Sequence, residues 1–310
     1  MDIFNAIPVF VAVAEHQGFS AAAQHLGVSK SAVSKRITQL EEQLGARLFH
    51  RSTRKLSLTE AGEQFYHYAR QANRSALQAR EAVEELQGEP VGLLKVQIPM
   101  SFGQHHITPH LPAFMAQYPA IELDVVMDDQ HHNLIEEGFD LAIRAGDLPD
   151  SRLIAKRLAR LNSCVCVSPA FYQQHQEKLT SPTTLTEFNC LTYSYSSNSD
   201  RWQFHSKASS DNQESLEIKV SGGYRINNSN ALAEAVLQGL GVARLPTFIA
   251  GEYIRRGELV ELFPQYDMPH KDLWLLFPQR EFLPKKSRAF IDFFQQLFSE
   301  PLYWENIHSD

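Results

Sequence analysis

The sequence predicts an α/β protein that is preceded by a small all-α domain and one long helix, because the hydrophobic pattern changes twice along the chain. Residues 19–59 combine two short amphipathic helices with a basic hairpin, and residues 59–87 form one long helical pattern. From residue 91 onward, apolar strand-like runs alternate with helical segments. A chain of 310 residues is long enough for two or three domains.

The helix pair in residues 19–45 has clear start and stop signals. Ser20 is the expected N-cap of the first helix, since its hydroxyl can accept a hydrogen bond from a free backbone N–H of the first turn. Gly27 stands where a left-handed residue ends a helix, and Ser29 is the expected cap of the second helix. The short segment between them predicts a helix-turn-helix.

The second helix of the pair has two opposite faces. Its apolar residues recur at steps of four, three and four and therefore share one face, namely Val33, Ile37, Leu40 and Leu44. Gly45 ends the helix. The other face has short hydrogen-bonding side chains and cations, namely Lys30, Ser31, Ser34, Lys35 and Thr38. These residue types contact base edges and phosphates when a helix lies in the major groove of DNA.

A basic hairpin follows the helix pair. The apolar runs 48–49 and 56–58 flank a polar, basic segment, which predicts a two-stranded wing whose candidate DNA contacts are Arg51, Thr53 and Arg54. Residues 20–58 hold seven Lys or Arg against two Glu, a net charge of +5, whereas residues 91–310 account for the −7 of the chain. A local basic patch of this kind suits phosphate contact. The alternative, a small helical domain with a solvated polar face, does not account for the hairpin.

Residues 59–87 predict one long helix with Thr59 as its N-cap. Small and apolar residues recur in it at alternating steps of four and three, namely Phe65, Ala69, Ala72, Ala76, Ala79, Val83 and Leu86. Such a heptad seam is typical of paired helices and predicts a dimer through this helix. The alternative is that the stripe packs on the protein's own core. The sequence 88–90, Gly-Glu-Pro, ends the helix and begins a linker.

Alternating strands and helices follow. Strands are predicted at 94–98, 121–127, 141–145, 163–168, 217–221, 242–245 and 273–277. Helices are predicted after the first strand, where Ile107, Leu111 and Phe114 recur, and at 231–238 and 287–298. The pattern indicates a mostly parallel α/β domain with ligand sites at the carboxyl ends of its strands.

Residues 1–66 resemble the N-terminal domain of the LysR-type transcriptional regulators. The ordered match comprises Phe10, Ala14, Phe19, Ser20, Ala22, Ala23, Leu26, Val28, Ser29, Ala32, Val33, Ser34, Ile37, Leu40, Glu41, Leu44, Gly45, Leu48, Phe49, Arg51, Leu58, Thr59, Ala61 and Gly62. The rest of the chain resembles the effector domain of this family more loosely. One departure is Pro8, where the family usually has a helix-compatible polar residue. Because proline costs about 3 kcal/mol in a helix interior, we expect the first helix to begin near Asn5.

The resemblance implies three domains: a winged helix-turn-helix DNA-binding domain at 1–58, a dimerising linker helix at 59–90 and an effector-binding domain at 91–310. The last would consist of two Rossmann-like lobes of the type II periplasmic-binding-protein kind, with lobe one at 91–162 and 268–300 and lobe two at 163–267. Two chain crossings between the lobes would make a hinge. The implied function is ligand-responsive regulation from a pseudo-palindromic promoter site. The implied partners are double-stranded DNA, a small-molecule effector, a second copy of the chain and, as a further candidate, RNA polymerase.

The candidate effector site follows from strand ends and from no strong motif. Ser101 and Phe102 follow the first strand and open a helix, so a hydroxyl and free N–H groups can face an anion. The full candidate set is Ser101, Phe102, Asp129, Arg144, Tyr193, Asn228 and Ser229. The alternative for each residue is an ordinary helix cap or loop position.

Other classes of protein find little support in the sequence. No apolar run approaches the ~20 residues of a membrane span, no secretory signal is visible, and three cysteines make no disulfide framework. These features favour a protein of the bacterial cytoplasm. An enzyme is disfavoured because no catalytic motif occurs, and a nucleoid-structuring protein is disfavoured because simple coating of DNA needs no α/β part.

Two clusters suggest other chemistry and are set aside. A metal site at His105, His106 and His110 lacks the Cys or carboxylate ligands that would complete a geometry, so we expect no metal and no cofactor. Cys164 and Cys166 lie two apart in a predicted strand, where two small buried hydrophobic residues are a simpler interpretation than a peroxide sensor.

Overall fold

The chain divides into two compact units, Met1–Glu89 and Pro90–Asp310. The structure is a computed structural model that describes residues 3–51, 56–85, 88–130, 133–148, 153–196, 198–208, 215–278, 283–299 and 302–305. The first unit is mainly helical and the second is α/β, as the sequence predicts. None of the helices in these ranges has both the length and the apolar character that crossing a membrane requires.

The first unit consists of α1 (Ile3–Glu15), α2 (Phe19–His25), α3 (Lys30–Leu44), β1 (Phe49–Arg51), β2 (Leu56–Leu58) and α4 (Glu60–Glu85). The prediction that α1 begins near Asn5 is wrong, because the helix begins at Ile3 and includes Pro8. An N–H at position 8 would bond to the carbonyl of Phe4, so proline removes only one bond near the start. Buried neighbours such as Ala6, Ile7 and Phe10 anchor the helix on both sides of the proline.

The helix boundaries follow most of the predicted signals. Gly27 and Gly45 adopt left-handed conformations with φ of 63° and 64°, and the Ser29 hydroxyl accepts from the Ala32 N–H at 3.2 Å. Ser20 is not an N-cap as predicted, because α2 begins one residue earlier and its cap is Gly18 in an extended conformation. Ser20 is therefore the second residue of the helix, two positions after the cap.

The apolar face of α3 forms the centre of the first unit's core. Val33, Ile37 and Leu40 are fully buried together with Phe10 of α1. Leu44, the fourth residue of the predicted face, is 37% exposed and is not part of this core. A charged residue, Glu41, is buried on this side of the helix instead.

The Glu41 carboxylate connects α3 to the wing. Its Oε1 accepts from the backbone N–H of Leu48 at 2.9 Å and of Phe49 at 3.3 Å, and its Oε2 accepts from Arg47 at 3.1 Å. These bonds satisfy two backbone N–H groups at the start of β1. This strand pairs antiparallel with β2 from Phe49↔Leu58 to Arg51↔Leu56. The wing strands are thus confirmed. The candidates Thr53 and Arg54 and the side chain of Arg51 lie outside the described part.

The long helix α4 begins at the predicted cap. The Thr59 hydroxyl accepts from the Gly62 N–H at 3.0 Å and donates to the Arg47 carbonyl at 2.6 Å. A Cβ at Gly62 would lie 2.0 Å from the Leu48 carbonyl oxygen, so only glycine permits this close approach of α4 to the wing.

The first part of the α4 stripe packs inside its own unit. The Phe65 ring lies 5.0 Å from the ring of Phe10, edge to face, and Ala69 is 3% exposed. For these two residues the own-core alternative is correct, because α1 covers them. Ala72 and Ala76 are exposed, whereas Leu86 and the side chain of Val83 lie outside the description.

The second unit contains thirteen strands among its described residues. They are β3 (Gly92–Ile98), β4 (Ile121–Met127), β5 (Leu141–Ala145), β6 (Leu153–Leu161), β7 (Ser163–Val167), β8 (Cys190–Tyr193), β9 (Arg201–Ser206), β10 (Ser215–Lys219), β11 (Arg225–Ile226), β12 (Val242–Pro246), β13 (Val260–Leu262), β14 (Tyr266–Asp267) and β15 (Lys271–Pro278). Its helices are α5 (Met100–Phe102), α6 (Leu111–Gln117), α7 (Leu134–Glu137), α8 (Pro169–His175), α9 (Ser229–Leu237), α10 (Thr247–Arg255) and α11 (Lys285–Leu297). A π-helical turn spans Gly103–Ile107, and 3-10 turns span Thr108–His110 and Pro182–Glu187.

Two five-stranded sheets define two lobes. The sheet of lobe one has the order β4-β3-β5-β15-β6, and that of lobe two has the order β11-β8-β12-β7-β13; a small third sheet has the order β10-β9-β14. In each large sheet the first three strands are parallel and the last two pairings are antiparallel. The prediction of a mostly parallel domain is therefore only partly correct. The antiparallel pairings are those of β15 in lobe one and of β7 in lobe two.

The chain passes between the lobes twice at nearly the same place. Only Asn162 separates β6 from β7, and residues 268–270 connect β14 to β15. Leu161 pairs with Lys271, so the two crossings lie side by side. This arrangement is the geometry of a hinge, and it brings side chains from both lobes to one place.

Replacing Glu41 with alanine is expected to destabilise the first unit by about 2–3 kcal/mol, because two backbone N–H groups lose a charged acceptor in a buried place. Hydrogen exchange by mass spectrometry should show faster exchange of the Leu48 and Phe49 amides. The matched control is Glu42→Ala, since Glu42 is the exposed neighbour. Equal protection in both variants would contradict the role given to Glu41.

Candidate functional site

The polar face of α3 is open to solvent in the first unit. Lys30, Ser31 and Lys35 are exposed, and Ser34 and Thr38 are half-buried beside them. The cap at Ser29 holds the start of this face, and the Ser29 and Ser31 hydroxyl oxygens lie 3.0 Å apart. All five predicted side chains of the helix therefore lie on one accessible surface with two cations. Such a surface can reach base edges and phosphates in a major groove.

A cavity of about 180 Å³ lies between the two lobes of the second unit. It is lined by six of the seven predicted effector residues, namely Ser101, Phe102, Asp129, Arg144, Tyr193 and Ser229. Asn228 does not line it. Its side chain caps α9 by accepting from the Ala231 N–H at 2.9 Å, so the cap alternative is correct for Asn228.

Ser101 presents a buried hydroxyl to this cavity. The residue is 4% exposed, and its Oγ has no hydrogen-bond partner among the described residues. A buried hydroxyl of this kind costs about 1–3 kcal/mol unless a ligand or water bonds to it. Ser101 therefore offers the cavity a buried hydroxyl whose hydrogen-bonding capacity is not used by the described residues.

Asp129 connects the two lobes across the cavity. Its Oδ1 accepts from the Met100 N–H at 3.0 Å, and its Oδ2 accepts from the Tyr193 hydroxyl at 2.9 Å. Burial, and then the negative charge of Asp129, raise the pKa of Tyr193 above its ordinary value. The phenol therefore stays protonated and donates to Asp129 at neutral pH.

Arg144 lies at the end of β5 and is almost fully buried. Its Nη2 donates to Gln97 Oε1 at 3.2 Å, and Gln97 in turn donates to the Gln130 carbonyl at 2.9 Å. Burial lowers the pKa of Arg144, opposed by the charge of Glu137. The guanidinium is therefore held in place by bonds within lobe one.

Sequence reasoning missed two cations of the cavity, Arg244 in β12 and Lys271 at the start of β15. Burial lowers the pKa of both side chains, and the positive charge of Arg244 lowers that of Lys271 further. A signal was present, since each is a lone cation in a strand that is otherwise largely apolar. Their shared location could not be predicted, because β12 and β15 are brought to the same cavity only by the folded structure.

The candidate metal cluster has a different role in the structure. His106 Nδ1 lies 2.6 Å from the Tyr303 hydroxyl and its Nε2 lies 3.3 Å from the Phe248 carbonyl oxygen. His105 Nε2 lies 2.9 Å from Asn230 Oδ1. Burial lowers the pKa of His106 to about 4, so this ring is neutral at neutral pH. It joins both lobes to the C-terminal segment that contains Tyr303.

The two cysteines of β7 are buried, and their sulfur atoms lie 3.5 Å apart. Their mutual hydrogen bond and burial raise the pKa of Cys164 well above its ordinary value. A protonated, buried thiol is a poor nucleophile, which agrees with the structural interpretation.

A winged helix-turn-helix that is followed along the chain by a two-lobed unit with an interlobe cavity is the architecture of a DNA-binding regulator with a ligand-binding domain. The family model described as "Bacterial regulatory helix-turn-helix protein, lysR family" matches residues 4–63, and the model "LysR substrate binding domain" matches residues 87–299. The chain therefore belongs to the LysR-type family of transcriptional regulators, which bind DNA through the first domain and effectors through the second. It is a regulator and not an enzyme.

Individual relatives agree with this assignment. The regulator PtxR of Pseudomonas aeruginosa is 34% identical over 288 residues, which cover 93% of this chain and 90% of PtxR. DmlR of Escherichia coli K12 is 33% identical over 304 residues, covering 97% of this chain and 96% of DmlR. The full-length structure of the Vibrio cholerae virulence activator AphB is 25% identical, has a TM-score of 0.63, and covers 96% of this chain and 100% of AphB.

Proposed function

We propose that this LysR-type regulator binds a pseudo-palindromic promoter site as a dimer and senses a small metabolite between its lobes. The domain ranges proposed for these roles are 1–58, 59–90 and 91–310. The partners proposed are promoter DNA, a second copy of the chain and, for the regulatory output, RNA polymerase. A regulator of chromosomal promoters acts in the bacterial cytoplasm.

The accessible polar face of α3 is the observation that supports the DNA contacts. Its side chains are short donors and acceptors beside two cations, and Val33, Ile37 and Leu40 on the opposite face are buried in the core. We propose that Lys30, Ser31, Ser34, Lys35 and Thr38 contact DNA, with Arg51, Thr53 and Arg54 of the wing as further contacts. In this arrangement, α3 of each protomer lies in the major groove of the DNA.

Ser34→Ala combined with Lys35→Ala should weaken binding to the operator by about 1–3 kcal/mol at fixed salt, because a base contact and a phosphate contact are lost. Fluorescence anisotropy with a labelled operator measures this change. Gln64→Ala, an exposed substitution on α4, is the control. An unchanged affinity of the double variant would remove Ser34 and Lys35 from the interface.

The second half of the α4 stripe supports pairing with another copy. Phe65 and Ala69 are used by the first unit itself, so the dimerisation set is reduced to Ala72, Ala76 and Val83. Ala72 and Ala76 are small and exposed, which lets two helices approach closely. A two-fold dimer explains why the proposed operator is pseudo-palindromic.

Ala72→Glu with Ala76→Glu should convert the dimer into a monomer, because four like charges would then meet in one apolar seam. Light scattering gives the mass directly. The matched control, Gln64→Glu with Gln71→Glu, adds the same charge on another side of α4 and should remain dimeric. A monomeric parent protein, or a dimeric seam variant, would contradict this proposal.

The interlobe cavity supports effector binding. It combines the unbonded Ser101 hydroxyl with Phe102, Arg144 and Ser229, and the Asp129–Tyr193 bond crosses it. Such a set fits a small anionic or polar metabolite. A ligand that prefers one arrangement of the lobes shifts the protein toward that arrangement.

Ser101→Ala should reduce the response to the effector by about tenfold or more, because a buried donor to a charged ligand is lost. A screen of small organic acids for altered DNase I footprints of the parent identifies active compounds, which are then titrated against the variant. Ser181→Ala, a surface serine bonded to Thr183, is the control. An unchanged dose response in Ser101→Ala would exclude the hydroxyl from the site.

A further inference from the structure

The hinge brings together two positive charges that come from different lobes. Arg244 lies in β12 of lobe two, and Lys271 is the first residue of β15 in lobe one. Both line the inner cavity, and both also line an adjoining outer pocket of about 680 Å³. We call these two residues the cation pair. They stand where the two pockets meet, next to the chain crossing at Leu161↔Lys271.

The charges of the cation pair are not neutralised by direct contacts. Within the described residues, neither side chain forms an ion pair or a hydrogen bond, although each of them is removed from much of the solvent. Asp129 and Asp147 act on Lys271 only at longer range, while Arg244 repels it. Bringing two like charges together out of water is unfavourable unless a counter-ion accompanies them.

We propose that Arg244 and Lys271 jointly bind the oxyanion of the effector, a carboxylate or phosphate group that connects the two lobes. This inference rests on the proposed sensing function and names the chemistry of its ligand. An oxyanion between the two cations accepts hydrogen bonds from both and replaces their mutual repulsion by attraction. Without it, the repulsion favours separation of the lobes at this point.

The linings of the two pockets indicate how such a ligand is oriented. The inner cavity offers apolar walls from Phe102, Trp202 and Phe248 together with the Ser101 hydroxyl. The outer pocket is polar, and its own Arg201 is already paired with Glu217 at 2.6 Å. The ligand is therefore a small organic acid whose body fills the inner cavity and whose acidic group lies at the junction.

Inorganic sulfate is a suitable first probe, because it keeps its charge at neutral pH and has no organic body to contact the apolar walls of the cavity. Isothermal titration of the full-length chain at constant ionic strength should show one sulfate site per protomer that depends on Arg244 and Lys271. Arg244→Gln and Lys271→Gln should each lower sulfate affinity by about tenfold or more, since each removes a charged donor. Lys219→Gln, which removes an exposed lysine of the same unit, should change it less than twofold.

Arg244→Lys separates loss of charge from loss of folding. This variant keeps the positive charge and should retain sulfate binding, whereas Arg244→Gln should not. Fluorescence of Trp202, Trp274 and Trp304, which all lie in the second unit, verifies that each variant is folded. Absence of sulfate binding by the folded parent, or parental affinity in both glutamine variants, would overturn the proposal.

A second measurement separates this proposal from the sensing function. Carboxylic acids and their neutral amides, such as isobutyrate and isobutyramide, are compared by titration with the parent and with Arg244→Gln. Preference for the acid in the parent and loss of that preference in the variant support the cation pair. Equal binding of acid and amide by the parent overturns it. Failure of every organic acid to alter the operator footprint, with sulfate binding intact, would overturn the sensing function alone.

Discussion

The pairing of β15 with β5 and β6 is the constraint on which the second unit depends. After lobe two is complete, the chain returns to lobe one and inserts β15 between two strands that were formed more than a hundred residues earlier. Leu273 and Leu275 of this strand are fully buried, so lobe one has no complete core without it. The same pairing places Lys271 opposite Leu161 at the crossing between the lobes. The return of β15 therefore completes the core of lobe one and also places the charge of Lys271 at the cavity.

Polar groups are buried around the interlobe cavity where apolar packing alone would be more stable. The Ser101 hydroxyl has no partner within the described residues, Arg144 is held by Gln97, and Asp129 is shared between a backbone N–H and Tyr193. Such groups each reduce stability unless they are bonded, and in natural proteins they occur mainly at functional sites. Their concentration at strand ends from both lobes distinguishes this cavity from a packing defect.

The C-terminal segment adds a second connection between the lobes. Glu305 accepts from Asn162 at 2.9 Å and from Thr247 at 2.9 Å, while Tyr303 contacts His106 and Trp304 lies in the core of lobe one. The segment therefore contacts the crossing residue Asn162, α10 of lobe two through Thr247, and the π-helical turn of lobe one through His106. Because Glu305 bonds both to the crossing residue Asn162 and to Thr247 of lobe two, this segment reinforces the connection between the lobes at the hinge itself.

Signals that act over a few residues could be derived from the sequence alone. The caps at Ser29 and Thr59, the stops at Gly27 and Gly45, and the strands 121–127 and 141–145 depend on local backbone chemistry and periodicity. The polar face of α3 could likewise be predicted from the spacing of its polar residues. Ser20, by contrast, does not have the expected capping role, because the helix begins at Phe19 and its cap is Gly18, two residues before the predicted cap.

Other features were decided only by tertiary structure. Phe65 and Ala69 face their own core because α1 lies against α4, a contact between segments far apart in sequence. The meeting of Arg244 with Lys271 depends on the antiparallel return of β15, which no local pattern encodes. Periodicity reveals that a face is apolar or that a strand exists. Which partner covers the face, and which strand end lies opposite another, follows from the free energy of packing the whole chain.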